Sequence, residues 1–493
     1  MNYFWQGSGT LAVPMALHVK NRNRLMAEFV NDGTSNQDVP KNSFVLLQGG
    51  EAETRYDSDN EPLFRQESFF QWSFGVAEPD CYGLLDVDNN KSVLFVPRLP
   101  AEYAVWMGEI FSTEHFKTKY AVDECLYCDE LDDYIQQAEA GGTAAMVYTL
   151  HGKNTDSGNY SKPATFDGIE KYRVDNGRLF PLIVELRVIK TEEELEVLRY
   201  VCDVTSKAHM EVMATCKPGL REYQSEATFK HHVYFNGGCR NCAYTCICAT
   251  GRNPAVLHYG HAGAPNAALM RDGDMGLFDM GAEYHCYCSD ITCSFPVNGV
   301  FSPDQRKIYT AVWEATKAVE AMMKPGCNWA DMHRLAWRVQ MQHLLDMGVL
   351  QGDLDALIEA RVPELFMACG LGHFIGLDTH DVGGYPRGIQ RVDEPGISKL
   401  RTTRVLEEGM VLTVEPGLYF NDYQIDKVQR GAALNMHLSS GSRAHPRPAC
   451  CRCLLAEPAL ATASGLEQPG PAAVHGRSAP RHPSQLWRRA DRR

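Results

Sequence analysis

The stretch that most constrains this chain carries two aspartates within sequence that is otherwise typical of β-strand, Gly276–Phe295 (GLFDMGAEYHCYCSDITCSF). Asp279 and Asp290 have mostly apolar or aromatic neighbours and Gly281 interrupts the run, which predicts two antiparallel strands joined by a turn. With the turn centred near Tyr284–His285, the two aspartates share a face and nearly oppose each other. A carboxylate in a half-buried strand is costly unless it is paired, hydrogen-bonded or bound to a metal. Because two close carboxylates repel each other, we expect one or two divalent cations between them.

Either aspartate alone could be a solvated residue on the outer face of a sheet, so the metal interpretation needs further ligands. His373 lies in a stretch with five glycines, Gly370–Tyr385, whose spacing fits neither a dinucleotide site nor a phosphate loop. Glu415 lies in the strand-like stretch Val411–Tyr419, just before a Pro-Gly pair; alone, it would be interpreted as a carboxylate capping the turn. Together, oxygen ligands and one imidazole suit Mn²⁺, Co²⁺ or Zn²⁺ in a hydrolytic centre.

A competing metal interpretation uses cysteines. Cys239 and Cys242 form a C-x-x-C pair, and with Cys246 and Cys248 they could build a zinc knuckle. No second pair follows at zinc-finger spacing, so the sequence favours the oxygen-rich site over a thiolate site.

Composition restricts the classes of partner. The chain has 493 residues and a net charge of -14, with 44% hydrophobic and 22% charged residues, which fits a globular protein of two or three domains and argues against nucleic acid as a partner. No apolar run is long enough to span a membrane, and the N-terminus lacks the pattern of a secretory signal. Without such a signal, the 17 cysteines are expected to be reduced thiols, which predicts a cytoplasmic protein without membrane contact.

The first part of the chain predicts an α/β domain. Ser43–Gln48 and Ser92–Val96 are short apolar runs expected to form buried strands, and Pro181–Lys190 is strand-like as well. Thr191 then opens a long helix through a capping box. We therefore place a domain boundary near residue 188.

Motifs in both halves of the chain resemble one enzyme family. In the second half these are, in order, FDMGAEYHCYCSDIT, GLGHFIGLDTHDVGG and LTVEPGLYF. In the first half, LLQGG, FRQESFFQW, LFVPRLP and NTDSG are similar to the N-terminal domain of the same enzymes. From near the start to about Asp422 the chain closely resembles the Xaa-Pro dipeptidases, or prolidases, of the M24 metallopeptidase family.

This resemblance implies an α/β (α+β) protein with a creatinase-like N-terminal α/β domain, residues 1–187, and a pita-bread catalytic domain, residues 188–429. It also implies a homodimer that hydrolyses dipeptides ending in proline or hydroxyproline with two Mn²⁺ ions per chain. The metal ligands implied by the motif match are Asp279, Asp290, His373 and Glu415. The resemblance implies that His258 and His380 contact the substrate and assist catalysis. It implies that Arg401 binds the substrate carboxylate, for which a guanidinium fork is suited.

The chain departs from the family pattern in two places. Ala368 and Cys369 stand where the family usually has a histidine before the Gly-Leu-Gly-His motif, which changes the pocket wall. After about Lys427 the pattern is lost, and with it the glutamate that serves in the family as a fifth ligand bridging both metals. Residues 430–493 are rich in Arg, Ala, Pro, Ser and Gly, which predicts a divergent, disordered tail in place of the last strands.

The missing carboxylate would leave an open coordination position and excess positive charge on both ions, so we expect impaired activity. Two alternatives stay open. One is another peptidase or a creatinase-type enzyme on the same fold. The other is a non-catalytic pita-bread binding protein that has lost its metal pair.

Overall fold

The computed structural model describes residues 2–31, 39–139 and 142–426, so the predicted tail at residues 430–493 lies outside the described residues. Short strands and helices alternate in the first half of the chain. In order they are β1 (Tyr3–Phe4), β2 (Val13–Pro14), α1 (Ala16–Asn31), β3 (Ser43–Gln48), α2 (Ser68–Phe74), β4 (Tyr82–Asp86), β5 (Lys91–Val96), α3 (Ala104–Met107), α4 (Thr113–Tyr120), β6 (Glu124–Tyr127), α5 (Leu131–Ala138), β7 (Met146–Thr149), β8 (Arg173–Asp175) and α6 (Leu179–Val188).

The N-terminal domain is built on a mixed six-stranded sheet in the order β6-β5-β4-β3-β7-β8. Neighbours within β3-β4-β5 are antiparallel, whereas β6, β7 and β8 join in parallel. Alternate residues of β3 enter different cores, with Val45 and Leu47 on one face and Phe44 and Leu46 on the other. Both faces of the sheet are thus covered, which explains why the strands read as continuous apolar runs.

One sequence-based expectation about this domain is wrong. Pro181–Lys190, predicted as strand-like, forms most of helix α6 instead. Its branched residues Ile183 and Val184 favour strand locally, but the segment packs against α1 and β7 of the N-terminal domain, and this tertiary packing overrides the local preference. Pro181 is tolerated because it lies in the first turn, where a backbone N–H has no partner within the helix.

The second half begins with the helix that the capping box predicted. Thr191 Oγ1 accepts from the Glu194 backbone N–H, and the Glu194 carboxylate accepts from the Thr191 N–H. In order, the elements are α7 (Glu192–Thr215), α8 (Glu222–Gly237), β9 (Asn241–Cys242), β10 (Ile247–Thr250), β11 (Met275–Asp279), β12 (Ala282–Tyr284), β13 (Tyr287–Cys288), β14 (Thr292–Pro296), α9 (Pro303–Met322), α10 (Trp329–Asp346), α11 (Leu354–Glu359) and α12 (Pro363–Phe366).

The predicted hairpin forms, with its turn one residue later than expected. The positive φ angles lie at His285 and Cys286, and the register pairs Asp279 with Thr292. Asp290 consequently opposes Gly281, and the two aspartates are diagonal neighbours rather than nearly opposite each other. They still share a face, because a shift of two residues preserves the side-chain alternation of a strand.

The turn of this hairpin docks into the N-terminal domain through two buried histidines. His18 Nδ1 lies 3.1 Å from the Trp72 carbonyl oxygen, and His18 Nε2 lies 2.9 Å from His285 Nε2. Since a carbonyl can only accept, His18 carries its proton on Nδ1 and accepts at Nε2 from His285. The two halves of the molecule therefore meet through a chain of neutral hydrogen bonds.

Candidate metal centre

The hydroxyl group of Tyr244 lies between the two predicted aspartates. Tyr244 Oη is 2.6 Å from Asp279 Oδ1 and 2.9 Å from Asp290 Oδ1. A phenol has one proton and can donate it to only one carboxylate at a time. The hairpin thus brings the two carboxylates to the same hydroxyl group, as the hairpin interpretation required.

His373 and Glu415 reach the same place from two extended segments that pair with each other. The backbone N–H of Thr413 donates to the His373 carbonyl, and that of Glu415 donates to the Leu371 carbonyl. Gly372 allows this approach, because a Cβ there would lie 2.1 Å from the Thr413 carbonyl oxygen. Glu415 was expected in a strand; its segment is extended and hydrogen-bonded but forms only an isolated β-bridge, Phe374 to Leu412.

Three of the four predicted ligands form a compact group. Ligand atoms of Asp290, His373 and Glu415 all lie within 4.8 Å of one another. His373 Nε2 is 3.2 Å from Asp290 Oδ2 and 2.9 Å from Glu415 Oε1. Asp279 is connected to the group by the Tyr244 hydroxyl, which contacts both aspartates, and it is repelled by the charge of Asp290.

The donor set fits a divalent cation. His373 Nδ1 lies 2.9 Å from the Phe374 carbonyl oxygen and must donate to it, so Nε2 is the nitrogen that faces the carboxylates. A backbone carbonyl that fixes the imidazole in this way is the usual support of a metal-ligating histidine. Buried Glu415 Oε1 has no hydrogen bond of good geometry, which leaves it available as a ligand atom.

The raised pKa values of Asp279 and His373 show that the group favours a bound positive charge. Burial and the charges of Asp290 and Glu415 raise the pKa of Asp279 to about 7. Burial disfavours a charged His373, but its close contacts with the Asp290 and Glu415 carboxylates together outweigh burial and raise its pKa to about 10. The group therefore attracts a cation into the space between its members, which a proton or a metal ion can supply.

The predicted substrate residues lie beside this group. The rings of His373 and His380 meet edge to face, with centroids 4.4 Å apart. Burial, followed by the charges of His373 and Arg401 and a smaller contribution from His258, lowers the pKa of His380 to about 3. His258, His380 and Arg401 are therefore close enough to act on one another, as a common substrate pocket requires.

Arg401 has one long ion pair, with NH1 3.5 Å from Asp156 Oδ2. A guanidinium has five N–H donors in a planar fork, so Arg401 retains donors for a carboxylate.

A buried ionic cluster holds the loop that carries His380. Asp381 accepts from Arg187 at 2.6 Å and from Lys190 at 2.9 Å, and all three side chains are almost fully buried. Asp378 also accepts from Arg187, at 2.9 Å, and from Ser68 Oγ of the N-terminal domain, at 2.8 Å. The loop is therefore anchored by the segment that joins the two domains.

Sequence reasoning missed Tyr244 and Thr413. Thr413 Oγ1 accepts from the His373 backbone N–H at 3.0 Å, and so fixes the peptide that carries this imidazole. Neither residue type is a typical metal ligand, and the contacts of Tyr244 join positions 35 and 46 residues apart in the chain. Within the sequence, the only available signal was that Tyr244 closely precedes an apolar strand.

The two remaining predictions about this region have different outcomes. Burial, and then the charge of Glu415, raise the pKa of Cys369 to about 12, so this thiol is protonated and close enough to feel the group. The competing cysteine knuckle finds no support, because within residues 2–31, 39–139 and 142–426 the carboxylate–histidine group is the single cluster of three or more potential ligands.

Comparison with known proteins identifies the family of this chain. Residues 196–439 match metallopeptidase family M24, and residues 18–148 match the N-terminal domain of aminopeptidase P. The chain is 54% identical over 424 residues to Xaa-Pro dipeptidase of Homo sapiens, covering 86% of this chain and 84% of the relative. The chain belongs to metallopeptidase family M24. Xaa-Pro dipeptidase of Rattus norvegicus is likewise 54% identical, with 86% and 85% covered.

Solved structures of the family share the fold. Pseudomonas aeruginosa aminopeptidase PepP superposes with a TM-score of 0.69 at 31% identity, covering 84% of this chain and 89% of that one. Zinc-substituted Escherichia coli aminopeptidase P in complex with product gives 0.67 at 30% identity, with 84% and 90% covered. The predicted fold, an N-terminal domain followed by a pita-bread domain, is confirmed, and membership in this hydrolase family implies a divalent metal.

None of the helices within residues 2–31, 39–139 and 142–426 combines the length and the apolar character needed to cross a bilayer.

Proposed function

We propose that this chain is a manganese-dependent dipeptidase that hydrolyses dipeptides with a C-terminal proline or hydroxyproline. The observation that carries the proposal is the convergence of Asp290, His373 and Glu415 within 4.8 Å, with Asp279 joined through Tyr244. The names of the relatives that are 54% identical support the substrate class.

In this proposal Asp279, Asp290, His373 and Glu415 hold two Mn²⁺ ions. When bound, the ions lower the pKa of a water molecule towards neutrality and polarise the peptide carbonyl group. Carboxylates and an imidazole suit Mn²⁺ and Zn²⁺ alike, and elemental analysis distinguishes the two metals.

The other residues act on the dipeptide. Arg401 binds the C-terminal carboxylate through its guanidinium fork. His258 and His380 donate hydrogen bonds to the substrate. They orient the scissile bond towards the proposed metal ligands, because the ring of His380 contacts that of His373. Positioning of this kind is a large part of enzymatic rate enhancement.

We also propose that activity is impaired, because the family's fifth ligand has no counterpart in the sequence pattern after Lys427. Residues 427–493 lie outside the described residues. Within the described ranges, no further acidic, histidine or cysteine side chain completes the three-membered group. A metal pair with a missing bridging carboxylate binds its ions more weakly and positions water less well.

A homodimer is the proposed assembly. Around α3 the N-terminal domain presents large apolar side chains to solvent, with Trp106 exposed at 74% and Val105 at 79%. Solvent-exposed apolar clusters of this kind mark contact surfaces. A second copy of this chain, as the family resemblance implies, is the proposed occupant of that surface.

We place the protein in the cytoplasm. The support is compositional: all cysteines in residues 2–31, 39–139 and 142–426 are free thiols, which suits a reducing compartment.

Hydrolysis of Gly-Pro by the purified chain with added Mn²⁺ tests the proposal. We expect turnover that depends on Mn²⁺ and is reduced by on the order of 100-fold relative to human Xaa-Pro dipeptidase assayed alongside. Elemental analysis of the same samples should show bound metal. Normal turnover would refute the impairment, and metal-free protein without turnover would favour the non-catalytic binding protein.

A chimera sharpens this test. Replacing residues after Asp426 with the corresponding segment of human Xaa-Pro dipeptidase restores the carboxylate that the family pattern requires. We expect Mn²⁺ affinity and Gly-Pro turnover to rise together. As a matched control, the same chimera with that glutamate changed to glutamine should gain the segment but not the activity.

A further inference from the structure

Two cysteines flank the tyrosine that lies between the metal-centre aspartates. Cys242 ends β9 and Cys246 precedes β10, with Tyr244 between them. We propose that Cys242 and Cys246 form a redox-active dithiol whose oxidation to a disulfide displaces Tyr244 and reversibly lowers the activity of the metal centre. The activity part of this proposal rests on the proposed function, whereas the disulfide itself does not.

The geometry pairs Cys242 with Cys246 rather than with Cys239, its partner in the C-x-x-C motif. The Sγ atoms of Cys242 and Cys246 are 3.9 Å apart. A disulfide needs about 2.05 Å, so the two sulfur atoms must approach by about 2 Å. Residues 243–246 belong to no strand or helix, and the backbone hydrogen bond of Ala243 to Gly281 holds their start. The approach of the two sulfur atoms must therefore come from the part of the segment after Ala243.

The other cysteines of the stretch have different neighbours. The Cys239 thiol faces the Gly237 carbonyl oxygen at 3.6 Å, and the Cys248 thiol faces Met280 Sδ at 3.4 Å.

One of the two thiols is accessible and the other is protected. Cys242 and Cys246 both line a cavity of about 800 Å³, which also has Lys230 and Glu226 in its wall. Cys242 is partly exposed, whereas Cys246 is 1% exposed. The hydrogen bond from Cys246 and the charge of Lys230 lower the pKa of Cys242, although burial opposes them. The hydrogen bond to Cys242, and then burial, raise the pKa of Cys246. Cys242 is thus the attacking thiolate and Cys246 the resolving thiol.

The oxidant we propose is a low-molecular-weight disulfide such as oxidised glutathione. The Cys242 thiolate attacks one sulfur of this disulfide, forms a mixed disulfide and expels one thiolate. The Cys246 thiol, losing its proton to solvent, then attacks the Cys242 sulfur and expels the second thiolate. The protein loses two electrons and two protons in total, and one small disulfide is reduced to two thiols.

The consequence for the metal centre follows from the position of Tyr244. Drawing Cys242 and Cys246 together reshapes the backbone on both sides of this residue, while its hydroxyl group must stay within 2.6 and 2.9 Å of the two aspartates to hold them. Partners that orient metal ligands are worth about 10- to 100-fold in metal affinity or activity. We therefore expect a loss of that size on oxidation, expressed both in Mn²⁺ affinity and in kcat.

Disulfide mapping of the full, Mn²⁺-loaded chain is the first test. The protein is equilibrated in glutathione buffers of graded potential, its free thiols are alkylated, and its peptides are identified by mass spectrometry. We expect a Cys242–Cys246 disulfide that forms in oxidised buffer and disappears with dithiothreitol. Absence of that disulfide, or glutathione adducts at Cys242 without closure, overturns the proposal whether or not the protein hydrolyses Gly-Pro.

Activity and bound Mn²⁺ are then followed in the same buffers. Wild type should lose activity by about 10-fold or more on oxidation and regain it on reduction. Cys242→Ser and Cys246→Ser should each be insensitive, and Cys327→Ser, a cysteine outside this loop, should behave like wild type. A disulfide that leaves both kcat and Mn²⁺ binding unchanged overturns the coupling to Tyr244, and so does an equal activity loss in Cys242→Ser.

Measuring bound Mn²⁺ tests the redox proposal separately from the dipeptidase activity. If the reduced protein binds Mn²⁺ but shows no turnover, the dipeptidase assignment fails. The redox proposal then stands or falls on the disulfide and on the fall in Mn²⁺ affinity that accompanies it.

Discussion

Two clusters of acidic side chains lie on either side of His380, one buried and one partly buried, and their negative charges are balanced in different ways. Asp381 is neutralised by Arg187 and Lys190, which lower its pKa although its burial opposes them. Asp279 and Asp290 have no lysine or arginine among their hydrogen-bond or ion-pair partners in the described residues; they have a phenol and a neighbouring histidine instead. The first cluster is neutralised by lysine and arginine, whereas the second is balanced by a proton on His373 or by a metal ion.

This difference separates structural from functional buried charge. A buried carboxylate paired with protein cations fixes the fold, and removing one partner is expensive. A partly buried carboxylate pair without lysine or arginine partners is destabilising until a proton or a metal ion binds, and such groups concentrate at functional sites. The comparison can be tested by changing one acid in each cluster.

The largest effect is expected for Asp279→Asn. In the proposed metal centre this change removes a ligand, so Mn²⁺ affinity in isothermal titration calorimetry should fall by at least about 100-fold. Because the pKa of Asp279 is raised to about 7 by burial and by neighbouring carboxylates, the metal-free variant at pH 8 should be more stable than wild type, by about 1 kcal/mol. The exposed Asp422→Asn is the matched control. A metal-free variant that is less stable than wild type would contradict the comparison.

The second largest effect is expected for Asp381→Asn, with the opposite sign. It leaves Arg187 and Lys190 buried without their shared anion, which should destabilise the protein by about 3–5 kcal/mol in chemical denaturation, with or without Mn²⁺. Asp203→Asn, which breaks an exposed pair with Lys207, should change stability by less than about 0.5 kcal/mol. If Asp381→Asn costs as little as that control, the two acidic clusters do not differ as described.

The buried pair of His18 and His285 shows a third way to bury ionisable side chains, in which both are kept neutral. Burial lowers the pKa of His18 to about 3, and burial and His18 lower that of His285. Below the unfolded pKa of about 6.5, the unfolded chain binds protons that the folded chain does not. Stability is therefore complete above about pH 6.5 and is lost as pH falls, by about 1 kcal/mol per histidine between pH 6.5 and 5.5.

Urea unfolding across this pH range measures that loss. His18→Gln should flatten the pH dependence, whereas the exposed His231→Gln should not. An unchanged slope in His18→Gln would mean that the histidine pair is not the source.

The smallest effect is expected for Thr191→Ala at the start of α7. Removing the capping hydroxyl should cost about 1 kcal/mol in chemical denaturation, and Thr191→Ser should retain most of that stability. This variant gives the cost of losing one local hydrogen bond without any buried charge, against which the effects of the two acidic clusters can be judged. Equal losses for the alanine and serine variants would show that packing of the threonine methyl group matters more than the cap.

Sequence reasoning succeeded where local chemistry decides the outcome. The strand Ser43–Gln48 and the capping box at Thr191 formed as predicted. The four predicted metal ligands and the three predicted substrate residues lie in one region, although their roles stay predictions. The signals were residue types that are expensive to bury, placed in strands or glycine turns.

The errors arose where contacts distant in sequence decide the outcome. Pro181–Lys190 has the composition of a strand, yet packing against α1 and β7 makes it α6. The hairpin turn fell one residue later than expected because positive φ angles at His285 and Cys286 set the register. Tyr244 escaped notice because its function depends on two side chains that reach it through a sheet.

The amino-acid sequence by itself determined the fold class, the family and the residue types that can hold a metal, because each is a matter of local pattern or of motifs that are contiguous in the chain. Only the tertiary structure decided which buried acids are neutralised by protein cations, which sulfur atoms approach each other, and which hydroxyl group joins the two aspartates. Those outcomes depend on distances of a few ångströms between segments far apart in the chain, and electrostatic and hydrogen-bond energies change steeply over such distances.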